Sequence, residues 1–456
     1  MPSWIVLALQ KNREPMNQAT GEQVLRLIQE YFIHSDRSLC VNGMAIADLV
    51  AEYGTPLYLY DASVLQKTWF RLRQTLPPEF IIYYSIKANP NQRILQFFLE
   101  QGCGLEIASL GEFQRALRAG CDPQSILFAG PGKTEAELET VLEKGIGTIH
   151  VESFREIDRV STLSQQLGHP AQIAVRINPT EEAQGGAMRM GGKPLPFGID
   201  EECLDAVLDR ILPDPWLDFR GIHLFIGTQI LDDGVLMAQY RKGLAIALRV
   251  ARRLGKPLHT VDFGGGLGIP YFPGEQPLNL AKFGQALAAL MLEIQSEPLF
   301  AGTQFMIEPG RYLVGEAGLY VTRVNDVKVS RGKTFLVVDG GLHHHLTASG
   351  NLGQVIKRNY PIALLNKLTD SAIATVEVVG PLCTPMDVLG RNVMLPPAEV
   401  GDLVGIFQSG AYARSASPLG FLSHPAPPEV WIETGEASLI CARGQYDDLT
   451  SPGVLS

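Results

Sequence analysis

From residue 79 onward, short runs of β-branched and aromatic residues alternate with longer stretches whose apolar positions recur at helical spacing. Eight such runs precede residue 311: FIIYYSIKA (80–88), GLEIAS (104–109), SILFAG (125–130), GTIHVES (147–153), QIAVRINP (172–179), GIHLFIG (221–227), HTVDFGGG (259–266) and TQFMIEPG (303–310). Between them Ile94, Leu95, Phe98 and Leu99 share one helical face, as do Leu138, Val141 and Leu142 behind a Thr134-x-x-Glu137 capping box. Strands alternating with covering helices predict a parallel sheet in an α/β fold, and eight is the number that closes a (β/α)8 barrel. An open, doubly wound sheet shows the same alternation and is the competing topology.

After Gly318 the helical period fades, and LYVTRVNDVKV, KTFLVVDGG, ATVEVVG, DLVGIFQSGAY, EVWIE and SLICARG read as strands separated by turns. The expected organisation is an N-terminal extension over 1–34, a segment over 35–60 that returns to the second domain, a barrel over 61–317, and a C-terminal β-sandwich or β-barrel domain over 318–456.

Composition narrows the function. The net charge of −10 and pI near 5.5 argue against nucleic-acid or acidic-membrane partners, which call for clustered cations. The apolar run WIVLAL near the start is too short to span a bilayer and lacks the basic flank of a signal peptide. Cys40, Cys103, Cys121, Cys203, Cys383 and Cys441 are scattered without a CxxC pair, which points to reduced thiols and a cytoplasmic protein.

The candidate chemistry lies at the carboxyl ends of the runs, where barrels of this type carry their sites. Lys87 ends the first run, just before Asn89-Pro90, and is either a rim lysine or a nucleophilic amine. Gly264, Gly265 and Gly266 end the seventh, and Glu308-Pro309-Gly310-Arg311 the eighth. Glycine amides with an arginine suit a phosphate. A carboxylate beside that phosphate needs a cation to face, and a protonated pyridine nitrogen is one. An amine, a phosphate cradle and a partner for a pyridinium describe pyridoxal phosphate. His343, His344 and His345 are consecutive and so diverge, which argues against a metal site; one of them is better placed for substrate. The segment EEAQGGAMRMGGKPLP (181–196) reads as a lid or a connector.

Taken together and in this order, YYSIKANPN, EIAS, RINP, VDFGGGLGIPY, EPGRYLV, GPLC and SGAY resemble the fold-type III pyridoxal-phosphate decarboxylases, an alanine-racemase-type barrel plus a β domain, typified by diaminopimelate and ornithine decarboxylases. The resemblance covers about residues 38–445. It implies that Lys87 carries the cofactor covalently, that Glu308 pairs the ring nitrogen, and that Gly265, Gly266, Gly310, Arg311, Thr228 and Tyr412 hold the phosphate. Ala108, Arg176 and Phe225 would complete the cofactor site. Cys383 would act as proton donor in the neighbouring subunit of a head-to-tail homodimer.

Three departures bear on substrate. CTPMD puts Thr384 where the family carries an acidic residue for a distal amine. GGLHHHLTASGNLGQVIKRNYP (340–361) replaces an Arg-Pro-x-x-Tyr segment for a distal carboxylate. Phe225 stands where a histidine stacks on the cofactor, with His223 on the same strand face. These features, with MGGKPLPFGID (190–200), resemble the subgroup that decarboxylates glutamate linked as a thioester to an acyl carrier protein, with exosortase-associated relatives. The expectation is a decarboxylase acting on an amino acid tethered to an acyl or peptidyl carrier protein, with Arg311, His343, Thr384 and Tyr412 at the substrate. Diaminopimelate decarboxylase is the alternative, and an inactive decarboxylase-like regulator a lesser one.

Overall fold

The computed structural model describes residues 21–446 and 448, apart from 36, 181–187, 190–193, 226, 353, 355 and 356, with only the backbone at 188 and 189. The chain forms two compact units, one built from 68–269 and 276–313, the other from 1–67, 270–275 and 314–456.

The first unit is a closed barrel. Its parallel strands are β1 (Phe80–Ser85), β2 (Gly104–Ile107), β3 (Ile126–Phe128), β4 (Thr148–Val151), β5 (Ala171–Asn178), β6 (Leu217–Leu224), β7 (Thr260–Asp262) and β8 (Gln304–Ile307). Each pairs with the next, and β8 pairs with β1 through Phe305–Phe80, Met306–Ile81 and Ile307–Ile82. That pairing excludes the open sheet. The strands read as continuous apolar runs because both faces are covered, by the barrel interior and by helices. Helix starts are fixed locally: Asn91, Ser109, Ser153, Asp232 and Asn279 each accept a backbone N–H at a helix N-terminus, and Thr134 and Glu137 form the reciprocal capping box. Gly221 lets β6 approach β7, since a Cβ there would lie 1.8 Å from the Thr260 carbonyl oxygen.

The second unit is a nine-stranded sheet. Its long strand Gly318–Ser330 pairs antiparallel with Lys333–Val338, Leu403–Ile406 and Leu57–Asp61; the last of these also runs parallel to Glu429–Glu433. The expected extension over 1–34 needs correction where it is described. Helix Glu22–Tyr31 buries Val24, Leu27 and Ile28, with Phe32 behind them, in the core of this unit, and Phe32 meets the Phe407 ring edge-on at 5.6 Å. Arg26 pairs with Glu316 at 2.5 Å. Among the described residues no helix is long and apolar enough to cross a membrane, and Cys40, Cys103, Cys121, Cys203 and Cys383 form no disulfide.

Candidate active site

β1 ends at Ser85, and one 3-10 turn, Ile86–Ala88, presents Lys87 beyond the strand end. The lysine is exposed, but its amine is held by a buried carboxylate. Its Nζ lies 3.1 and 3.2 Å from the carboxylate oxygens of Glu106, a side chain 1% exposed on β2, which also accepts from the Ser85 hydroxyl at 2.5 Å. The parallel register sets Ser85 beside Glu106, so barrel pairing itself brings amine and carboxylate together. Sequence reasoning missed Glu106, although a glutamate inside an apolar strand was the signal. Ala108, exposed just past β2, donates its N–H to Glu112 at 2.7 Å.

The loops after β7 and β8 interlock. The Gly264 N–H donates to Asp262 Oδ1 at 2.8 Å, and the Gly264 carbonyl accepts the Glu308 N–H at 2.7 Å. A Cβ at Gly265 would fall 2.7 Å from the Glu308 carbonyl oxygen, and one at Gly310 2.8 Å from the Ala88 Cβ, so side chains are excluded from this cradle. Gly266 takes φ 108°, which glycine alone adopts without strain. Arg311 opens the short helix Arg311–Val314. Thr228 lies on a two-residue strand paired with Met188–Arg189, so one piece of the expected lid is anchored beside the loop after β6. The rest of that segment, with the side chains of Arg189 and Lys193, lies outside the described residues.

Phe225 follows β6 and faces this cradle: a Cβ at Gly265 would come 3.7 Å from its ring, and the Lys87 Nζ stands 5.8 Å from its centroid. The Arg176 guanidinium stands 5.8 Å from the same ring and 5.3 Å from that of Phe197. Arg176 bonds Glu152 Oε1 at 2.9 Å; Glu152 also accepts the N–H groups of Gly130 and Gly198. Burial works against the Glu152 charge, yet Arg176 and Lys133 hold its carboxyl below the ordinary range. Phe225 thus offers a flat apolar face where a histidine was the family expectation. His223 does not share that place. It is 1% exposed, and its Nε2 lies 3.3 Å from Glu308 Oε2, without hydrogen-bond geometry.

Glu308 is 5% exposed, and its Oε1 has no hydrogen-bond partner. Around it stand His150 and His223, their rings 4.3 Å apart, and Asp262, all 1% exposed. Burial, then the neighbouring imidazole, pushes His150 well below the usual histidine range; burial, then Arg176, does the same to His223. Burial and the Glu308 charge push Asp262 well above the usual carboxyl range. A buried carboxylate between two uncharged imidazoles, with one oxygen unsatisfied, fits a protonated pyridine nitrogen. The four side chains also have the donor set of a metal ligand cluster, their ligand atoms lying within 4.8 Å of one another. A groove of about 860 Å³ on the barrel flank, lined by Arg71–Glu79 and Leu280–Gln295, carries none of this chemistry.

On the sheet unit, Asp387 ties two loops together. It accepts the N–H of Leu342 at 2.6 Å and of Leu382 at 2.9 Å, so His343 and Cys383 each follow an amide held by one carboxylate. Gly341 and Gly380 make this possible: a Cβ at either would lie 2.3 Å from an Asp387 oxygen. Cys383 is exposed, and Thr384 turns its hydroxyl to the Met386 N–H at 3.4 Å. The three histidines are buried, and contrary to the expected divergence the rings of His343 and His344 lie 3.7 Å apart. His344 reaches the Tyr320 hydroxyl and the Pro425 carbonyl, and His345 the Ser409 hydroxyl, while neither nitrogen of His343 has a hydrogen-bond partner. Burial pushes them down to about 4 (His343), about 2 (His344) and about 3 (His345). All three are uncharged at neutral pH. Tyr412 sits at φ 55°, its carbonyl accepting from the Thr347 hydroxyl.

Residues 62–315 match the family model described as "Pyridoxal-dependent decarboxylase, pyridoxal binding domain". The chain is 37% identical to the L-glutamyl-[BtrI acyl-carrier protein] decarboxylase of Niallia circulans, over 89% of this chain and 95% of that protein. It is 33% identical to the diaminopimelate decarboxylase of Methanothermobacter thermautotrophicus, over 90% of this chain and 94% of that protein. The crystal structure of diaminopimelate decarboxylase from M. jannaschii in complex with L-lysine superposes with a TM-score of 0.85 at 26% identity, covering 94% of this chain and 98% of that one.

Proposed function

The chain belongs to the pyridoxal-phosphate-dependent decarboxylases of the diaminopimelate and ornithine decarboxylase family, and from that premise we propose that its substrate is an amino acid, glutamate in the first instance, held as a thioester on an acyl carrier protein. One observation carries the substrate reading: among the described residues, the Cys383 loop and the loop facing it across Asp387 offer a threonine hydroxyl and imidazoles pushed toward their neutral forms, while Asp387 is engaged by two backbone amides, Lys357 by Asn351 and Arg358 by Glu275. A thioester-linked side chain has no free distal carboxylate to pair. The relative sharing 37% identity carries a carrier-protein substrate in its name.

When bound, pyridoxal phosphate supplies an electron sink for the pair released as carbon dioxide departs. Lys87 anchors the cofactor through its amine, and Glu106 holds that amine in place. The amides of Gly265, Gly266 and Gly310, with Arg311, Thr228 and Tyr412, take the phosphate. Phe225 would offer the cofactor ring its apolar face, with Arg176 behind that phenyl group and Ala108 at the rim, and Glu308 would pair the ring nitrogen. Cys383 delivers the proton that replaces the lost carboxylate at the α-carbon, so that amino acid and proton become amine and carbon dioxide. Arg311, His343, Thr384 and Tyr412 contact the substrate.

Cys383 and Tyr412 belong to the sheet unit and Lys87 to the barrel unit, which supports a homodimer with shared sites in which the partner subunit's Cys383 serves Lys87. Mixing Lys87→Ala with Cys383→Ala subunits would restore about a quarter of the sites by statistical exchange; no recovery after verified exchange contradicts the sharing. The free thiols of Cys40, Cys103, Cys121, Cys203 and Cys383 support a reducing, cytoplasmic location. Intact-mass analysis of a glutamyl-loaded carrier protein incubated with the enzyme tests the substrate: loss of one carbon dioxide from the loaded carrier is expected, and an unchanged mass with an active holoenzyme refutes it.

A further inference from the structure

We infer that His150 is a positioning residue for Glu308, relaying a hydrogen bond from Asp262, and through it from the glycine cradle, to the carboxylate that faces the cofactor's ring nitrogen. The inference rests on the proposed pairing of Glu308 with that nitrogen. His150 sits on β4, across the barrel from β8. Its Nδ1 lies 3.8 Å from Glu308 Oε1 and its Nε2 3.9 Å from Asp262 Oδ2. Each gap is about an ångström longer than a hydrogen bond, which a tilt of the imidazole and a rotation of the carboxyl would close. Both oxygens, and His150 Nδ1, are buried without a hydrogen-bond partner. Buried polar atoms are costly to leave unpaired, and one imidazole standing between two carboxyls pairs all three; Glu308 Oε1, an acceptor with two lone pairs, takes the His150 N–H and still has a lone pair for the ring nitrogen.

Proton bookkeeping sets the direction. Asp262 Oδ1 already accepts the Gly264 N–H, so the acid proton, favoured there by burial and by the nearby Glu308 charge, belongs on Oδ2. Oδ2–H then donates to His150 Nε2, and His150 Nδ1–H donates to Glu308 Oε1. The imidazole stays neutral throughout, as its burial requires. Its backbone is pinned as well, since the Lys133 ammonium donates to the His150 carbonyl at 2.8 Å and pairs with Glu156 at 2.7 Å. The other charged groups acting on the pocket are Arg176, Glu106, Glu152 and Lys87, with the Tyr83 and Tyr240 phenols beside Asp262 and His223 on the far oxygen of Glu308. The cradle holds the Glu308 backbone directly, through the N–H donated to the Gly264 carbonyl, and Asp262 also acts on the Glu308 carboxylate; His150 adds a path to the side-chain oxygen Oε1 that His223, on the other oxygen, does not offer.

The test reads the ring nitrogen itself. Holoenzyme reconstituted with pyridoxal phosphate labelled with nitrogen-15 in the ring is titrated by nitrogen-15 NMR, as wild type and as Glu308→Gln, His150→Phe, His150→Asn, Asp262→Leu and Asp262→Asn. Glu308→Gln should lose ring protonation most completely. Both His150 variants and Asp262→Leu should lower the pH at which the ring loses its proton by at least about one unit, a tenfold change in proton affinity. Asp262→Asn should titrate as wild type, because its amide still accepts from Gly264 and donates to His150. If Glu308→Gln shifts the titration and both His150 variants do not, the relay is wrong and the Glu308 pairing stands. If Glu308→Gln is also silent, both are wrong. If Asp262→Asn falls with Asp262→Leu, the proton is not on Asp262 and the stated direction is refuted. One equivalent of a divalent metal per chain, found by elemental analysis and removed by His150→Asn, would replace the relay with a metal site.

Discussion

At the barrel mouth, ionisable side chains are set against one another: Lys87, itself exposed, against buried Glu106, and, buried, Arg176 against Glu152 and Glu308 between His150 and His223. Around Cys383 on the sheet unit stand three buried imidazoles pushed toward their neutral forms, a half-buried threonine hydroxyl turned to the backbone, and one buried carboxyl, Asp387, already engaged by the amides of Leu342 and Leu382. The first arrangement suits a ligand of fixed charge, a phosphate at one end and a pyridinium at the other. The second suits a substrate whose distal end arrives uncharged. Buried charge is costly unless paired, so a site keeps it only where a ligand completes the pairing. On the proposed reading, the charge pattern distinguishes the residues that would hold the cofactor from those that would meet the substrate.

The comparison breaks most visibly at Lys87. Lys87→Ala should abolish turnover and the cofactor's visible band while circular dichroism stays unchanged, because the anchor is lost and the fold is not. Turnover near the wild-type rate would remove Lys87 from the reaction. Glu308→Gln should retain cofactor and raise the barrier by about 2 to 4 kcal/mol, read as kcat on the preferred substrate; an unchanged kcat would show that Glu308 does not stabilise the reacting ring.

On the sheet unit the expected effects are smaller. Asp387→Ala leaves the amides of Leu342 and Leu382 without their carboxylate, and thermal denaturation should show a loss of about 1 to 3 kcal/mol. His343 sharpens the contrast through pH. Its folded pKa lies below its unfolded value, so between pH 6.5 and 4 the unfolded chain binds a proton that the native state does not. The stability it contributes is complete above the unfolded pKa and is lost as pH falls toward about 4. His343→Asn should therefore flatten that decline, by up to about 2 kcal/mol at pH 5 in urea unfolding, and an identical pH slope would contradict a buried neutral imidazole.

Much of the barrel half was legible in the sequence because its strands are apolar on both faces and its chemistry lies just past their ends: Lys87 after β1, Gly264–Gly266 after β7, Glu308 after β8. What was not legible lies inside strands. Glu106 meets Lys87 only through strand register, and His150 faces Glu308 only once eight strands have closed. No spacing along the chain encodes a distance across a barrel. Helix Glu22–Tyr31 was read as an extension because its apolar stripe is only Val24, Leu27 and Ile28, too short to signal a core element until its partners are in place. Gly341 and Gly380 end runs that read as strands; in the structure they are the clearance that Asp387 needs.

The central claim is that the substrate's distal end is uncharged because it is tethered, and the most direct measurement is kcat/KM for glutamyl-loaded carrier protein against free meso-diaminopimelate on the same holoenzyme. Two missing charge-assisted contacts, at about 2 to 5 kcal/mol each, predict that the free diamino acid is poorer by several orders of magnitude. A kcat/KM for meso-diaminopimelate of about 10⁴ M⁻¹s⁻¹ or above, matching or exceeding that for the loaded carrier, would contradict the account and make the chain a diaminopimelate decarboxylase.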